Sequence, residues 1–284
     1  RNLALRAADT PDGLEYKSRY ASLQIRSFEK GIVVEAMNEK GLQGSVLFLD
    51  GSELPAVQPG RDNIDPNNFI AYAVSSFSNV RELVDSLARI NFIPATLDIP
   101  GPEGEGLGYP ADKWPGHFAF SDASGDKVII EFIKGEVKVY HGREHDALTN
   151  EPNYETHLAL DAVGYQPTGS IFPEDRRGRA KSYLRDMRER GVDEPRRALL
   201  AMRGLLAGVW AGTEEIDRVE NEVYPTIWSS LADQKSLTYY ITRYNTWCSE
   251  IYDFSMFDAA RPEEVTLTAP DYPYAKIDGS PLKD

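Results

Sequence analysis

Apolar and polar positions alternate with a period of two in several short stretches of this chain, the pattern of half-buried β-strands. Residues 14–25 carry Leu14, Tyr16, Tyr20, Leu23 and Ile25 and read as a strand with neighbours. Residues 31–36 and 44–49 are apolar runs on either side of Met37-Asn38-Glu39-Lys40-Gly41-Leu42, which predicts a strand–turn–strand unit. The most regular β pattern lies in residues 117–140. Phe118 and Phe120 alternate, residues 122–126 (Asp-Ala-Ser-Gly-Asp) turn the chain, residues 128–133 form a buried strand, and Gly135 turns again before Val137 and Val139. Residues 52–66 hold three prolines and one glycine, and residues 101–110 are rich in glycine; both predict loops, the second a candidate lid.

Two helices are expected between those strands. For the second, Asn79 and Glu82 have the N-cap and N3 spacing of a capping box. Val80, Leu83, Val84, Leu87 and Ile90 then recur at helical intervals, and Pro94 ends the pattern. From Arg179 the period becomes helical again. Asp193 is placed to cap a further helix with Pro195 in its first turn and Leu199, Leu200 and Met202 along it. Beyond Gly212, residues 226–231, 237–242 and 249–254 return to strands. Strands and helices come in blocks without strict βαβ alternation, so the expected class is α+β, antiparallel sheets covered by helices.

A chain of 284 residues with 41% hydrophobic and 27% charged residues is long enough to bury a stable core. Its formal net charge is −14, which repels phosphate backbones and anionic lipid, so no nucleic-acid partner is expected. No apolar run approaches the roughly 18 residues of a membrane span, so no membrane partner is expected either. The dense basic stretch from Arg176 to Arg190 is preceded by Glu174 and Asp175, interleaved with Asp186 and Glu189, and reads as a solvated helix laced with ion pairs. Cys248 is the only cysteine and reads as a buried structural thiol. His141 and His145 have i, i+4 spacing but follow a strand, which does not align them for zinc; His117 and His157 read as hydrogen-bonded structural histidines. Asp122 and Asp126 are explained by turn chemistry.

Several segments, in order, resemble one family. Asn38-Glu39-Lys40-Gly41-Leu42 resembles the turn of the choloylglycine hydrolase and penicillin V acylase family. Residues 117–131 (HFAFSDASGDKVIIE) are similar to the strand pair that precedes its active-site asparagine. Leu148-Thr149-Asn150-Glu151-Pro152 is similar to its threonine–asparagine–x–proline motif. Residues 173–183 (PEDRRGRAKSY) resemble its arginine-bearing helix start, and Ile227-Trp228-Ser229-Ser230 with Tyr239-Tyr240 fit its closing hairpin.

The resemblance implies a single domain over 1–284 with the four-layer αββα N-terminal-nucleophile fold of two antiparallel sheets. It implies hydrolysis of a linear amide by a cysteine that becomes residue one after processing and uses its own α-amine as base. Asn150 is then the oxyanion donor and Arg176 the active-site arginine, with Arg179 the alternative if the register shifts. From the residues alone, Asn150 equally closes a turn before Pro152. Phe48 aligns with a substrate-contacting position, where an aromatic wall suits a phenoxyacetyl or fatty acyl group; a core phenylalanine is the other reading.

Arg1-Asn2-Leu3-Ala4 does not carry the family's cysteine, arginine and aspartate, and Asn2-Leu3 fits the next strand along. The expectation is therefore a nucleophile-bearing segment upstream of Arg1. The family implies no cofactor, a small-molecule amide substrate and a homo-oligomer, usually a tetramer, in either the bacterial periplasm or the cytoplasm. Two other functions stand beside amide hydrolysis of the penicillin V or acyl-homoserine lactone type: a bile salt hydrolase, and a non-catalytic homologue that binds acylated small molecules.

Overall fold

The computed structural model describes residues 1–27, 32–96, 98–100, 106–212, 225–243, 249–258, 261 and 264. The elements run β1 (Ala4–Arg6), β2 (Glu15–Lys17), β3 (Ser22–Ser27), β4 (Ile32–Asn38), β5 (Gln43–Leu47), β6 (Asp62–Ile64), α1 (Pro66–Ser76), α2 (Val80–Ser86), β7 (Ile90–Phe92), β8 (Asp98–Pro100), β9 (Gly106–Gly108) and β10 (His117–Ser121). They continue as β11 (Lys127–Ile133), β12 (Glu136–His141), α3 (Tyr154–Ala162), α4 (Pro173–Glu189), α5 (Pro195–Ala207), β13 (Trp228–Asp233), β14 (Thr238–Arg243) and β15 (Ser249–Asp253). Six strands form one antiparallel sheet in the order β12-β11-β10-β5-β4-β3, and a second antiparallel sheet has the order β13-β14-β15.

The two faces of the larger sheet differ because side chains alternate across a strand. Phe118 and Phe120 on β10, with Val128, Ile130 and Phe132 on β11, are at most 2% exposed and form one face. Phe69 of α1 inserts there, its ring edge-on to Phe118 and Phe120 at centroid distances of 4.9 and 5.7 Å. Gly44 lies under this cluster: a Cβ at that position would stand 2.2 Å from the Phe120 ring. Phe120 is walled in by its aromatic neighbours, so Gly44→Ala is expected to destabilise the fold by ~1–3 kcal/mol through overpacking, read from urea denaturation midpoints.

The opposite face is polar and meets the second sheet. Ser230 Oγ on β13 donates to Glu35 Oε2 on β4 (2.6 Å), and Gln234 Nε2 donates to Ser121 Oγ on β10 (2.8 Å). Burial pushes the Glu35 carboxyl above its ordinary range, opposed by its hydrogen bond from Ser230. Helix α1 covers β4 and β5, α2 reaches β11, and α5 packs on β13, with α4 against α5. The result is the expected α+β sandwich of two antiparallel sheets with helices on the outside.

Several expectations are corrected in detail. Residues 14–25 make two strands, β2 and β3, joined through Ser18–Ala21 backbone bonds to other segments. The residues 52–66 include the short strand β6, which pairs in parallel with β7. Asn79 does cap α2, its Oδ1 accepting from Glu82 N (2.9 Å), but the Glu82 carboxylate takes Ser78 N and Ser78 Oγ instead of the cap residue's own N–H. The helix ends at Ser86; a short turn follows in which the Ile90 N–H donates to the Leu87 carbonyl, and Ile90 then opens β7, in register with Asp62 of β6. Glu194, one residue after Asp193, caps α5 by accepting from Arg196 N and Arg197 N. The candidate lid is described only in part: Gly106–Gly108 pairs with Asp98–Pro100, while 101–105 lie outside the described residues. Cys248 lies outside them as well.

Candidate active site

The three residues singled out from the sequence meet. Asn150 follows β12 in the 142–153 connection, Arg176 sits in the first turn of α4, and Phe48 follows β5. Arg176 donates from a terminal guanidinium nitrogen to Asn150 Oδ1 (2.6 Å), and Asn150 Nδ2 donates to the Phe48 carbonyl oxygen (3.0 Å). These partners settle which end of the amide is which. A guanidinium only donates and a carbonyl only accepts, so Oδ1 must face Arg176 and Nδ2 must face Phe48. The Phe48 ring is half-buried and lies edge-on to Tyr109, at a centroid distance of 5.8 Å.

Arg176 is held by a second bond, from Nε to the Ile171 carbonyl (2.8 Å). Burial lowers its guanidinium from the ordinary value, and the nearby Glu151 carboxylate works in the opposite sense. Arg179, the alternative in the sequence, points elsewhere: it donates to the carbonyls of Gly208 (2.9 Å), Thr168 (2.7 Å) and Ser170 (2.8 Å). It ties the end of α5 to the loop before α4. Helical phase separates the two arginines, since residues three apart are offset by ~60° around the axis.

The solvated-helix reading of residues 176–190 is corrected at its first turn. Arg177 is 3% exposed and makes a two-pronged bond to Asp161 of α3 (2.8 Å on each oxygen), with Lys181 on the same carboxylate (2.6 Å). Asp175 is equally buried and accepts from Tyr165 Oη (2.8 Å), Thr168 N (2.6 Å) and Ser170 Oγ (2.6 Å). Those hydrogen bonds outweigh burial and hold its carboxyl well below the usual range. The ion pairs of α4 therefore run mostly to other elements: Arg188 pairs with Asp146, in the connection that carries Asn150. Tertiary partners win because the inward turn is closed to water and an uncompensated charge there is costly.

Two of the four histidines have their imidazoles pushed down by burial, His157 of α3 and His145. A neutral imidazole in the fold, against an ordinary value near 6.5 in the unfolded chain, means the unfolded state binds more protons as pH falls. Stability from these two residues is present above about pH 6.5 and declines below it. Urea denaturation at pH 7.5 and 5.5 is expected to show a smaller loss on acidification in the His157→Gln variant than in the parent. His141 Nε2 lies 2.9 Å from Asp126 Oδ2, and His145 Nδ1 3.1 Å from Tyr154 Oη. The two are thus engaged separately, and among the described residues no group of three or more His, Cys, Asp and Glu is placed to hold a metal. No helix among them is long and apolar enough to cross a membrane. Asp122 does more than turn the chain: Oδ1 accepts from Ser124 N, and Oδ2 accepts from Val80 N (2.9 Å) at the start of α2.

The fold is a two-sheet α+β sandwich with the Asn150 amide held beside Arg176. The model of the linear amide C–N hydrolases, choloylglycine hydrolase family, matches residues 14–177, and the chain belongs to that family. Among curated relatives, penicillin V acylase of Pectobacterium atrosepticum is 29% identical over 251 residues, covering 80% of this chain and 64% of the relative. The chain therefore spans a little under two thirds of that relative's length. Bile salt hydrolase/transferase of Clostridium perfringens is 28% identical over 131 residues, 44% of this chain and 35% of the relative. Among solved structures, penicillin V acylase from Agrobacterium tumefaciens superposes with a TM-score of 0.76 at 22% identity, covering 93% of this chain and 78% of that one. A variant of conjugated bile acid hydrolase from Clostridium perfringens also gives 0.76 at 22% identity, covering 95% and 87%. These two superpositions establish the sandwich.

Proposed function

We propose that the protein hydrolyses a linear amide with an aromatic or fatty acyl group, in the manner of a penicillin V or acyl-homoserine lactone acylase. The nucleophile in this reading is a cysteine at the mature N-terminus. Its α-amine, with an ordinary value of about 7.7–8.0, takes the thiol proton near neutral pH. The thiolate attacks the amide carbon, and the carbonyl oxygen becomes an oxyanion. The amine product leaves with the proton, and water then releases the acyl group from the thioester.

The observation that carries the proposal is the Arg176–Asn150–Phe48 chain of hydrogen bonds. Asn150 Nδ2 has two hydrogens, and the Phe48 carbonyl takes one. The other serves the oxyanion. Arg176 polarises the amide through Oδ1 and brings positive charge to a site where negative charge develops. The Phe48 ring with Tyr109 offers the aromatic wall for the acyl group.

Bile salts are the second substrate reading, supported by the likeness to the Clostridium perfringens enzyme. The test is expression from the gene, N-terminal sequencing with intact mass, and measurement of amine release from penicillin V, an acyl-homoserine lactone and glycocholate. A mature chain starting with cysteine and releasing amine from one of these upholds hydrolysis and ranks the substrates. Any other mature start, with no amine released, overturns it in favour of a homologue that binds acylated molecules. Light scattering on the same sample tests the tetramer expected from the family.

A further inference from the structure

The two histidines left as structural by the sequence lie on either side of Asn150. His117 opens β10, and antiparallel pairing of Phe118 with Ile130 puts His117 next to Glu131 of β11 on the polar face of the sheet. Both side chains are fully buried, with His117 Nδ1 2.8 Å from Glu131 Oε1. The other ring nitrogen, Nε2, lies 2.7 Å from the Thr149 carbonyl oxygen. A carbonyl only accepts, so Nε2 must carry a hydrogen. Glu131 is itself fixed, since Tyr154 N at the start of α3 donates to both its oxygens (2.9 and 3.0 Å).

His157, one turn into α3 and 1% exposed, places Nε2 3.2 Å from the Asn150 carbonyl oxygen. By the same argument that nitrogen donates. Thr149 adds a third tie, its hydroxyl donating to the carbonyl of Pro173 (3.0 Å) at the start of the helix that bears Arg176.

We propose that His117 and His157 are positioning residues for Asn150, gripping the carbonyls of the two peptide planes that meet at its Cα. Peptide planes are rigid, so a residue has only φ and ψ to vary, and holding both flanking planes fixes both angles. The direction of the Asn150 Cα–Cβ bond follows. Arg176 and the Phe48 carbonyl then set the remaining side-chain rotations. The inference rests on the reading of Asn150 as the oxyanion donor. A donor's value depends on alignment: a displacement of about 1 Å can cost on the order of a hundredfold in rate.

The experiment compares His157→Leu, which removes the donor, with His157→Gln, which supplies an amide N–H in its place; His117→Gln is the parallel variant. On the mature enzyme, with active sites counted by titration, His157→Leu is expected to lower kcat by ~10- to 100-fold and change KM by less than ~3-fold. His157→Gln should recover kcat to within ~3-fold of the parent. In asparagine-labelled protein, the Asn150 side-chain amide resonances, assigned through Asn150→Asp, should move in His157→Leu and return in His157→Gln. Unchanged kcat and unmoved resonances in the leucine variant would overturn the proposal. So would equal losses in the leucine and glutamine variants that track a fall in melting temperature. If the parent hydrolyses no amide, the functional reading fails separately, and the Asn150 resonances alone decide whether the clamp exists.

Discussion

Asn150→Ala is expected, under the proposed amide hydrolysis with Asn150 as oxyanion donor, to lower kcat by on the order of 10²- to 10³-fold with KM little changed, because such a donor acts mainly in the transition state. The substitution removes the Nδ2 bond to the Phe48 carbonyl and leaves the Arg176 guanidinium without its Oδ1 acceptor. Arg176 keeps its Nε bond to the Ile171 carbonyl, so the helix start stays anchored and the fold is preserved. Asn150→Asp is the informative companion. It preserves the acceptor for Arg176 but places a carboxylate where the oxyanion must form, so it should be no faster than the alanine variant. Steady-state kinetics with titrated active sites check both. A kcat within a few-fold of the parent in Asn150→Ala would remove this residue from the chemistry and favour the turn-closing role.

The second large effect concerns stability. Arg177→Ala is expected to destabilise the protein by about 3 kcal/mol, the lower end of the range for breaking a buried ion pair, because Asp161 is partly exposed. Arg177 joins α4 to α3 through Asp161 and reaches the Ala147 carbonyl with Nε (3.1 Å), so it bolts together the two helices that frame Asn150. Its guanidinium also lies over the Tyr154 ring, 5.3 Å from the centroid. Lys181 remains on Asp161 in the variant and offsets part of the loss. Chemical denaturation measures the change directly. The contrast with its neighbour is the sharper check: Arg176→Ala should affect turnover much more than stability, and Arg177→Ala the reverse.

Much of this was written into the sequence in a readable form. The alternation in residues 117–140 specified three strands, and the Asn79–Glu82 spacing located the cap of α2, because both rest on backbone geometry and on neighbours a few residues away. The motifs around Phe48, Asn150 and Arg176 marked three residues that the fold brings into one hydrogen-bonded chain, across separations of 102 and 26 residues. Errors of one or two positions arose where local signals competed. Asp193 and Glu194 are both able to cap a helix that has Pro195 in its first turn, and only the observed bonds to Arg196 N and Arg197 N select the glutamate.

What the sequence determined by itself was local: which stretches are strands or helices, where they turn, and the α+β class that their order implies. Tertiary structure alone decided which face of each strand meets which layer, and hence that His117 and Glu131 pair beneath the Thr149 carbonyl. It also decided that Arg176 turns to Asn150, Arg177 to Asp161 and Arg179 to loop carbonyls, although all three lie within one turn of a basic helix. The reason is physical. Periodicity records that positions share a side of an element, but the partner on that side comes from chain tens of residues away. The choice among identical side chains is made by burial and hydrogen-bond geometry once the layers have closed.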